Sequence, residues 1–242
     1  MKRNYQLRYR QSLGGLAWAI VPPLATLGAG LLVFNKVAGV DTPGVPYPLF
    51  VLAGLVPWTF FATSLTFGVT SLEGAMHMLG RFGFPRAVLP LSVVGLSLID
   101  LVIAFVMFVV LALAMGEGLP TTALLFPLLA LVELVFVSGI VLMGSAFNVF
   151  ARDVRLAVPL VVQVWLFVTP VLYPLERVPV TLRPWYVANP MTGIVESFRD
   201  VLVLGKVPEL GHLGPAIAGA LVTFVVGYWY FASTEQRFAD VV

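Results

Sequence analysis

The sequence predicts an all-α membrane protein with six transmembrane helices, and three observations carry that prediction. Of the 242 residues, 60% are hydrophobic and 11% are charged, whereas soluble domains have about 45–50% apolar and about 25% charged residues. The mean hydropathy is +0.99. At about 20 residues per span, the length leaves room for about six helices. Residues 1–242 are therefore expected to form one transmembrane domain.

Six apolar runs, separated by polar or turn-rich segments, give the expected spans. They are residues 16–34, 49–72, 91–115, 123–150, 156–173 and 215–231. The proline pair Pro22 and Pro23, near the start of the first run, would bend or delay that helix. The basic segment before it, residues 2–12, is expected to lie on the inner membrane surface. No short apolar stretch with a small-residue cleavage site follows this segment, so it is not a cleavable signal peptide.

The basic residues predict that both termini are cytoplasmic. In that orientation nine Lys and Arg residues lie in the inner segments and five in the outer ones, and Lys and Arg near span ends favour the cytoplasmic side. The clearest marker is the charged turn between the fourth and fifth runs, which contains Arg152, Asp153 and Arg155. That turn is expected to face the cytoplasm.

The region between the fifth and sixth runs, residues 174–213, is too polar for a span and too apolar for a plain loop. Apolar side chains at Ile194, Val195, Phe198, Val201 and Leu202 have the spacing of an amphipathic helix. We expect two short helices here that dip into the outer leaflet or lie on it.

No motif indicates an enzyme that works alone. The only Gly-Lys pair, Gly205 and Lys206, lacks the rest of the nucleotide-binding G-x-x-x-x-G-K-[ST] motif. The two histidines, His77 and His212, have no partner at metal-ligand spacing, and the chain has no cysteine. A chain of this kind must take its energy from a partner or from a gradient.

Two carboxyl groups lie inside predicted spans, at Asp100 and Glu133. Such a group is costly in the membrane and normally faces protein or water. One interpretation is a proton or substrate contact, and the other is a carboxyl that helps to pack helices. The absence of a matching intramembrane Lys, Arg or His favours packing and disfavours a gradient-driven pump.

Aromatic side chains could line a path for a sugar chain, because their faces stack on the apolar faces of sugars. The path candidates are Trp18, Trp58, Trp165 and Tyr173, together with Gln163. For any single aromatic residue, a place in the interfacial belt is the stronger interpretation.

Four segments in order carry a family resemblance: LRYRQSLGGLAW (7–18), NVFARDV (148–154), TPVLYP (169–174) and NPMTGIVESFRDVLVLG (189–205). Together they resemble the permease subunits of ABC transporters that export polysaccharides and lipid-linked precursors, such as O-antigen, teichoic acid and capsule. The resemblance implies a homodimer in the cytoplasmic membrane of a bacterium, with a separate ATPase subunit for each copy. ATP and Mg would bind to that ATPase, so no cofactor is expected on this chain and no nucleic acid as a partner.

The resemblance also implies site residues. Contact with the ATPase is expected mainly from residues 73–86 and the N-terminal segment; the coupling candidates are Arg8, Arg10, Glu73, His77, Arg81, Phe84, Arg86, Arg152 and Asp153. The two short helices, within residues 181–204, are expected to form an outer gate; its candidates are Pro170, Pro174, Trp185, Asn189, Pro190, Phe198 and Arg199. Two alternatives remain: a permease for small hydrophobic drugs or other lipids, and an intramembrane enzyme that uses Asp100 or Glu133.

Overall fold

A computed structural model describes residues 17–37, 39, 42, 44–73, 85–151 and 153–239. The α-helices in this part of the chain are α1 (Ala17–Gly30), α2 (Tyr47–Gly68), α3 (Val88–Ala114), α4 (Phe126–Phe150), α5 (Val154–Val168), α6 (Arg183–Ala188), α7 (Pro190–Arg199) and α8 (Leu210–Thr234). A π-helical turn extends α1 (Leu31–Val37) and another extends α7 (Asp200–Leu204); 3-10 turns precede α4 (Thr121–Leu125) and follow α8 (Glu235–Ala239). The described residues contain no strand, which confirms the all-α prediction.

Four helical segments are long and apolar enough to cross a membrane. They are Tyr47–Gly68, Val88–Ala114, Thr121–Phe150 and Leu210–Phe238. Two shorter apolar helical segments, Ile20–Phe34 and Val154–Val168, fall below span length. The four long segments correspond to the second, third, fourth and sixth predicted runs.

Side-chain contacts fix which ends of the long helices lie together. Glu73, just after α2, accepts a hydrogen bond from Asn148 in the last turn of α4. Phe126, at the start of α4, packs edge-on against Phe198 at 5.5 Å between ring centroids. The two ends of the bundle are therefore called the Glu73 end and the Arg199 end, and α2 and α4 both run from the Arg199 end to the Glu73 end.

The helix α2 lies at the centre of the fold and packs against α3, α4, α5 and α7. Side chains on all sides of it are buried, including Val51, Val56 and Phe60. A second close contact joins α4 and α8, where Gly139 and Gly227 face each other. A Cβ atom at Gly139 would lie 2.5 Å from the carbonyl oxygen of Thr223. Small residues of this kind allow membrane helices to approach backbone to backbone.

The structure corrects two sequence predictions. The fifth run does not stay helical to residue 173, because α5 ends at Val168 and Thr169 is extended (φ −98°, ψ 131°). The next residue, Pro170, has no N–H and disfavours a helical conformation at the residue before it. In the first run, α1 already includes Ala17 and continues through Pro22 and Pro23, so the proline pair does not delay the helix.

Candidate functional site

Residues 169–174 leave the helix while still surrounded by protein, and they form what we call the broken segment. Thr169 and Val171 are fully buried, and Leu172 is nearly so. Buried non-helical backbone requires protein partners for its polar groups, because water does not reach them. Two side chains supply them: the Val171 carbonyl accepts from Arg199 at 2.6 Å, and the Leu172 carbonyl accepts from the Tyr47 hydroxyl at 2.7 Å.

Arg199, at the end of α7, is the most deeply buried cation among the described residues, with 2% of its side chain exposed. Besides its bond to the broken segment, it donates to Glu196 Oε1 at 2.7 Å. Its guanidinium lies over the Phe50 ring, 3.7 Å from the centroid, in the geometry of a cation–π contact. Burial raises the pKa of the Glu196 carboxyl, and the charge of Arg199 opposes that shift. Arg199 therefore joins α7, the broken segment and α2 in one buried polar cluster.

A glycine makes room for this cluster. A Cβ atom at Gly54 in α2 would lie 3.0 Å from Arg199 Nη2 and 3.2 Å from the Val171 carbonyl oxygen. Both distances are shorter than ordinary van der Waals contact. The absence of a side chain at Gly54 therefore lets the guanidinium and the broken segment meet beside α2.

The hairpin of α6 and α7 is fastened to the broken segment at its turn. Asn189 accepts from the backbone N–H of Met191 at 3.1 Å and so caps α7. Its side-chain amide also donates to Thr169 Oγ1 at 3.0 Å. Pro190 follows in the first turn of the helix, a position that tolerates the missing N–H. The hairpin and the broken segment thus form one unit.

The apolar stripe of α7 faces protein. Ile194, Val195 and Phe198 are buried, because α7 packs against α2, α4 and α8. The expected position of the two short helices, in or on the outer leaflet, stays a prediction. Of the remaining gate candidates, Pro170 is buried, Pro174 is half-buried, and Trp185 on α6 is 77% exposed.

At the Glu73 end, one carboxylate connects three helices. Glu73 accepts from Asn148 Nδ2 at 2.8 Å and lies 3.5 Å from the guanidinium of Arg155 at the start of α5. Arg155 is 52% exposed and Glu73 33% exposed, so the ion pair stabilises the fold by about 1 kcal/mol at most. Asp153, predicted beside them, is exposed in the turn before α5. Sequence reasoning missed Asn148 and Arg155 as partners of Glu73.

Arg86 makes a separate contact at this end. It donates to the backbone carbonyl of Glu235 and lies 5.7 Å from the centroid of the Phe238 ring. These contacts tie the start of α3 to the residues after α8. The other coupling candidates lie outside the described residues; they are Arg8, Arg10, His77, Arg81, Phe84 and Arg152.

Two of the predicted path residues meet around one phenylalanine. Trp58 in α2 is buried with its ring centroid 5.1 Å from that of Phe61, and Trp165 in α5 packs edge-on against Phe61 at 4.9 Å. Gln163 is exposed on α5. The side chain of Trp18 lies outside the described part of the chain.

Tyr173 belongs to a different cluster, at the end of the broken segment. Its hydroxyl donates to the Phe167 carbonyl at 2.5 Å and lies 3.1 Å from the Tyr186 hydroxyl on α6. Its ring stacks with Phe34 at 6.0 Å. Tyr173 therefore connects α1, α5 and α6.

The two intramembrane carboxyl groups are both buried, Asp100 in α3 and Glu133 in α4. The Glu133 oxygens have no hydrogen-bond partner among the described residues. No group of three or more His, Asp or Glu in this part of the chain is placed to hold a metal ion.

The span-length helices and the buried polar cluster around a broken segment define a multi-pass helical membrane protein. Comparison of sequences identifies its family. A model described as ABC-2 type transporter matches residues 1–203, and the chain belongs to that family.

Individual relatives match along nearly the whole chain. The O-antigen export system permease protein RfbA of Myxococcus xanthus is 30% identical over 244 residues, covering 100% of this chain and 93% of that protein. A protein of the same name from Klebsiella pneumoniae is 26% identical, with 99% and 92% covered. The polysialic acid transport protein KpsM of Escherichia coli is 24% identical, with 97% and 91% covered. The resemblance to polysaccharide export permeases is thus confirmed.

Proposed function

We propose that this chain is the transmembrane subunit of an ABC exporter that moves a lipid-linked polysaccharide across the cytoplasmic membrane of a bacterium. The observation that carries the proposal is the similarity, over nearly the full length, to permeases of O-antigen export and polysialic acid transport. The chain contains no nucleotide-binding G-x-x-x-x-G-K-[ST] motif. Its energy therefore comes from a separate ATPase subunit.

Six crossings follow if α1 and α5 also span the membrane. The 15 residues of α5 extend about 22 Å at about 1.5 Å each, which is short of the roughly 30 Å hydrocarbon core. The broken segment turns at once, because the Val171 N–H donates to the Thr169 carbonyl at 2.7 Å, and it would have to supply the rest of the crossing. The basic turn before α5 favours a cytoplasmic position for the Glu73 end.

In this orientation the Arg199 end faces outwards and contains the gate. The broken segment and the α6–α7 hairpin are joined through Asn189 and Arg199, so they would move together. The Glu73 end would receive the ATPase, because Glu73 links α2 and α4 to the start of α5. Since the broken segment follows α5 directly, displacement of α5 by the ATPase would reach the gate.

A second copy of the chain would cover α5. Among the described residues of this helix only Val162 is buried, and an apolar groove runs along Leu160, Val164 and Trp165. Gln163, polar and exposed in the middle of the helix, would be costly against lipid. Facing a partner or a water-filled path, its amide could be satisfied. Two copies meeting along α5 would enclose that path.

Deletion of the gene tests the proposed function. We expect the surface polysaccharide to be lost and its lipid-linked form to accumulate on the cytoplasmic side, because synthesis continues while export stops. The polymer is quantified on intact and on permeabilised cells with a lectin or antibody. Wild-type complementation is the control. Unchanged surface polymer, without accumulation inside, would overturn the proposal.

A further inference from the structure

A cavity of about 510 Å³ opens beside the broken segment at the Arg199 end. Its walls come from the loop before α2, the start of α2, the residues after the broken segment and the end of α7. Val45, Val203 and Leu204 belong to its apolar part, and Glu176 and Glu196 are its acidic residues. A mostly apolar cavity of this size with a few placed polar groups is typical of a small-molecule site.

The charges around the cavity balance. Arg199 is in the lining but already donates to Glu196 and to the Val171 carbonyl. The other acidic residue, Glu176, and the other cation, Arg177, are also in the lining, so it contains two carboxylates and two guanidinium groups. The two acidic residues offset the two cations, and the described residues hold no group of three or more His, Asp or Glu placed for a metal ion. The lining therefore favours a neutral ligand.

Sugar units match this lining. The C–H faces of a pyranose can pack on the valine and leucine walls, while its hydroxyls donate charge-assisted hydrogen bonds to carboxylates. Glu176 is exposed and free to take part, and Glu196 keeps a second oxygen beyond the one that accepts from Arg199. We propose that the cavity binds a short stretch of the exported glycan as it leaves the gate. This inference rests on the proposed function and adds a substrate contact to it.

Single thiols can test the cavity, because the chain has no cysteine. Leu204→Cys places a thiol in the cavity wall, and Val207→Cys places one on an exposed residue three positions further on, outside the lining. Both variants are labelled with a membrane-impermeant maleimide in intact cells that contain the whole transporter. Cells that make the polysaccharide are compared with cells blocked in its synthesis.

We expect labelling at Leu204→Cys to be about fivefold slower in cells that make the polysaccharide. Only thiols in empty cavities react, so the rate is proportional to the fraction of cavities that hold no glycan. Labelling at Val207→Cys is expected to be equal in both. Adding Glu176→Gln to Leu204→Cys should remove most of the protection of the thiol by the polysaccharide. Glu209 is an exposed carboxyl outside the lining, so adding Glu209→Gln instead should leave that protection unchanged. Protection unaffected by Glu176→Gln would overturn the carboxylate's part in recognition.

The outcomes separate this inference from the proposed function. Equal labelling of Leu204→Cys in both strains, with surface polysaccharide still dependent on the gene, overturns the glycan site alone. If the surface polysaccharide does not depend on the gene, the proposed function is overturned. If neither thiol is labelled in intact cells, the Arg199 end faces the cytoplasm and the glycan site fails.

Discussion

Replacing Arg199 with methionine is expected to abolish export and to lower the free energy of unfolding by about 3–5 kcal/mol. The substitution leaves the Glu196 carboxyl without its cation and the Val171 carbonyl without its donor. The Val171 carbonyl is fully buried and finds no substitute in water, so one of the two side-chain links between the broken segment and the α6–α7 hairpin is lost and only the Asn189–Thr169 bond remains. Surface polysaccharide in complemented cells and denaturant unfolding of the purified protein measure the two effects. Lys206→Met, which removes an exposed cation from the same end, is the control and should change neither.

A second variant separates stability from gating. Replacing Glu196 together with Arg199, both by methionine, leaves no buried charge unpaired and should recover much of the lost stability. Export is expected to stay low, because the Val171 carbonyl in the broken segment still lacks its donor. A single Arg199→Met variant as stable as wild type would contradict the role given to this cluster, and so would normal export by the double variant.

Replacing Gly227 with alanine is expected to separate α4 from α8 and to destabilise the fold by about 1–3 kcal/mol or more. A Cβ atom at this position would overlap the carbonyl oxygen of Gly139. Because the overlapping group is backbone, it cannot rotate away, and the helices must move apart. Thermal unfolding of the purified protein and its amount in membranes measure the effect.

Gly214 provides the matched control in the same helix. A Cβ atom there has no heavy atom within 4 Å, so Gly214→Ala should change the stability by about 0.5 kcal/mol or less. Equal stability of the two alanine variants would contradict the close crossing of α4 and α8.

The sequence predicts the long helices well, because their signal is local. Runs of apolar side chains identify α2, α3, α4 and α8 without any knowledge of how these helices pack. The end of α5 could also have been read locally, since Pro170 disfavours helix at Thr169. The cap of α7 by Asn189, followed by Pro190, is a local pattern of the same kind.

The polar contacts could not be predicted, because they join residues far apart in the chain. Arg199 and Glu196 are three positions apart, but the carbonyl and the ring that complete the cluster belong to Val171 and Phe50. Glu73 meets Asn148 across 75 positions. The amphipathic spacing of α7 predicts a helix with one apolar face, but it does not distinguish lipid from protein as the partner of that face.

Transport in vesicles also tests how the Glu73 end is coupled to the ATPase. Permease and ATPase are purified together and reconstituted with lipid-linked polysaccharide, and the polymer that becomes protected from an external glycosidase is compared with the ATP hydrolysed. Glu73→Gln weakens a contact worth about 1 kcal/mol at most, so the fold should persist. We expect the Glu73→Gln variant to move less polymer for each ATP hydrolysed. Glu117 is an exposed carboxyl elsewhere in the chain, so the Glu117→Gln control should match wild type.

The wild-type complex in the same vesicles tests the central claim most directly. If this chain is the membrane subunit of an ATP-driven polysaccharide exporter, protected polymer accumulates only when the chain, the ATPase and ATP are all present. Polymer that becomes protected equally without ATP, or without this chain, would contradict that claim.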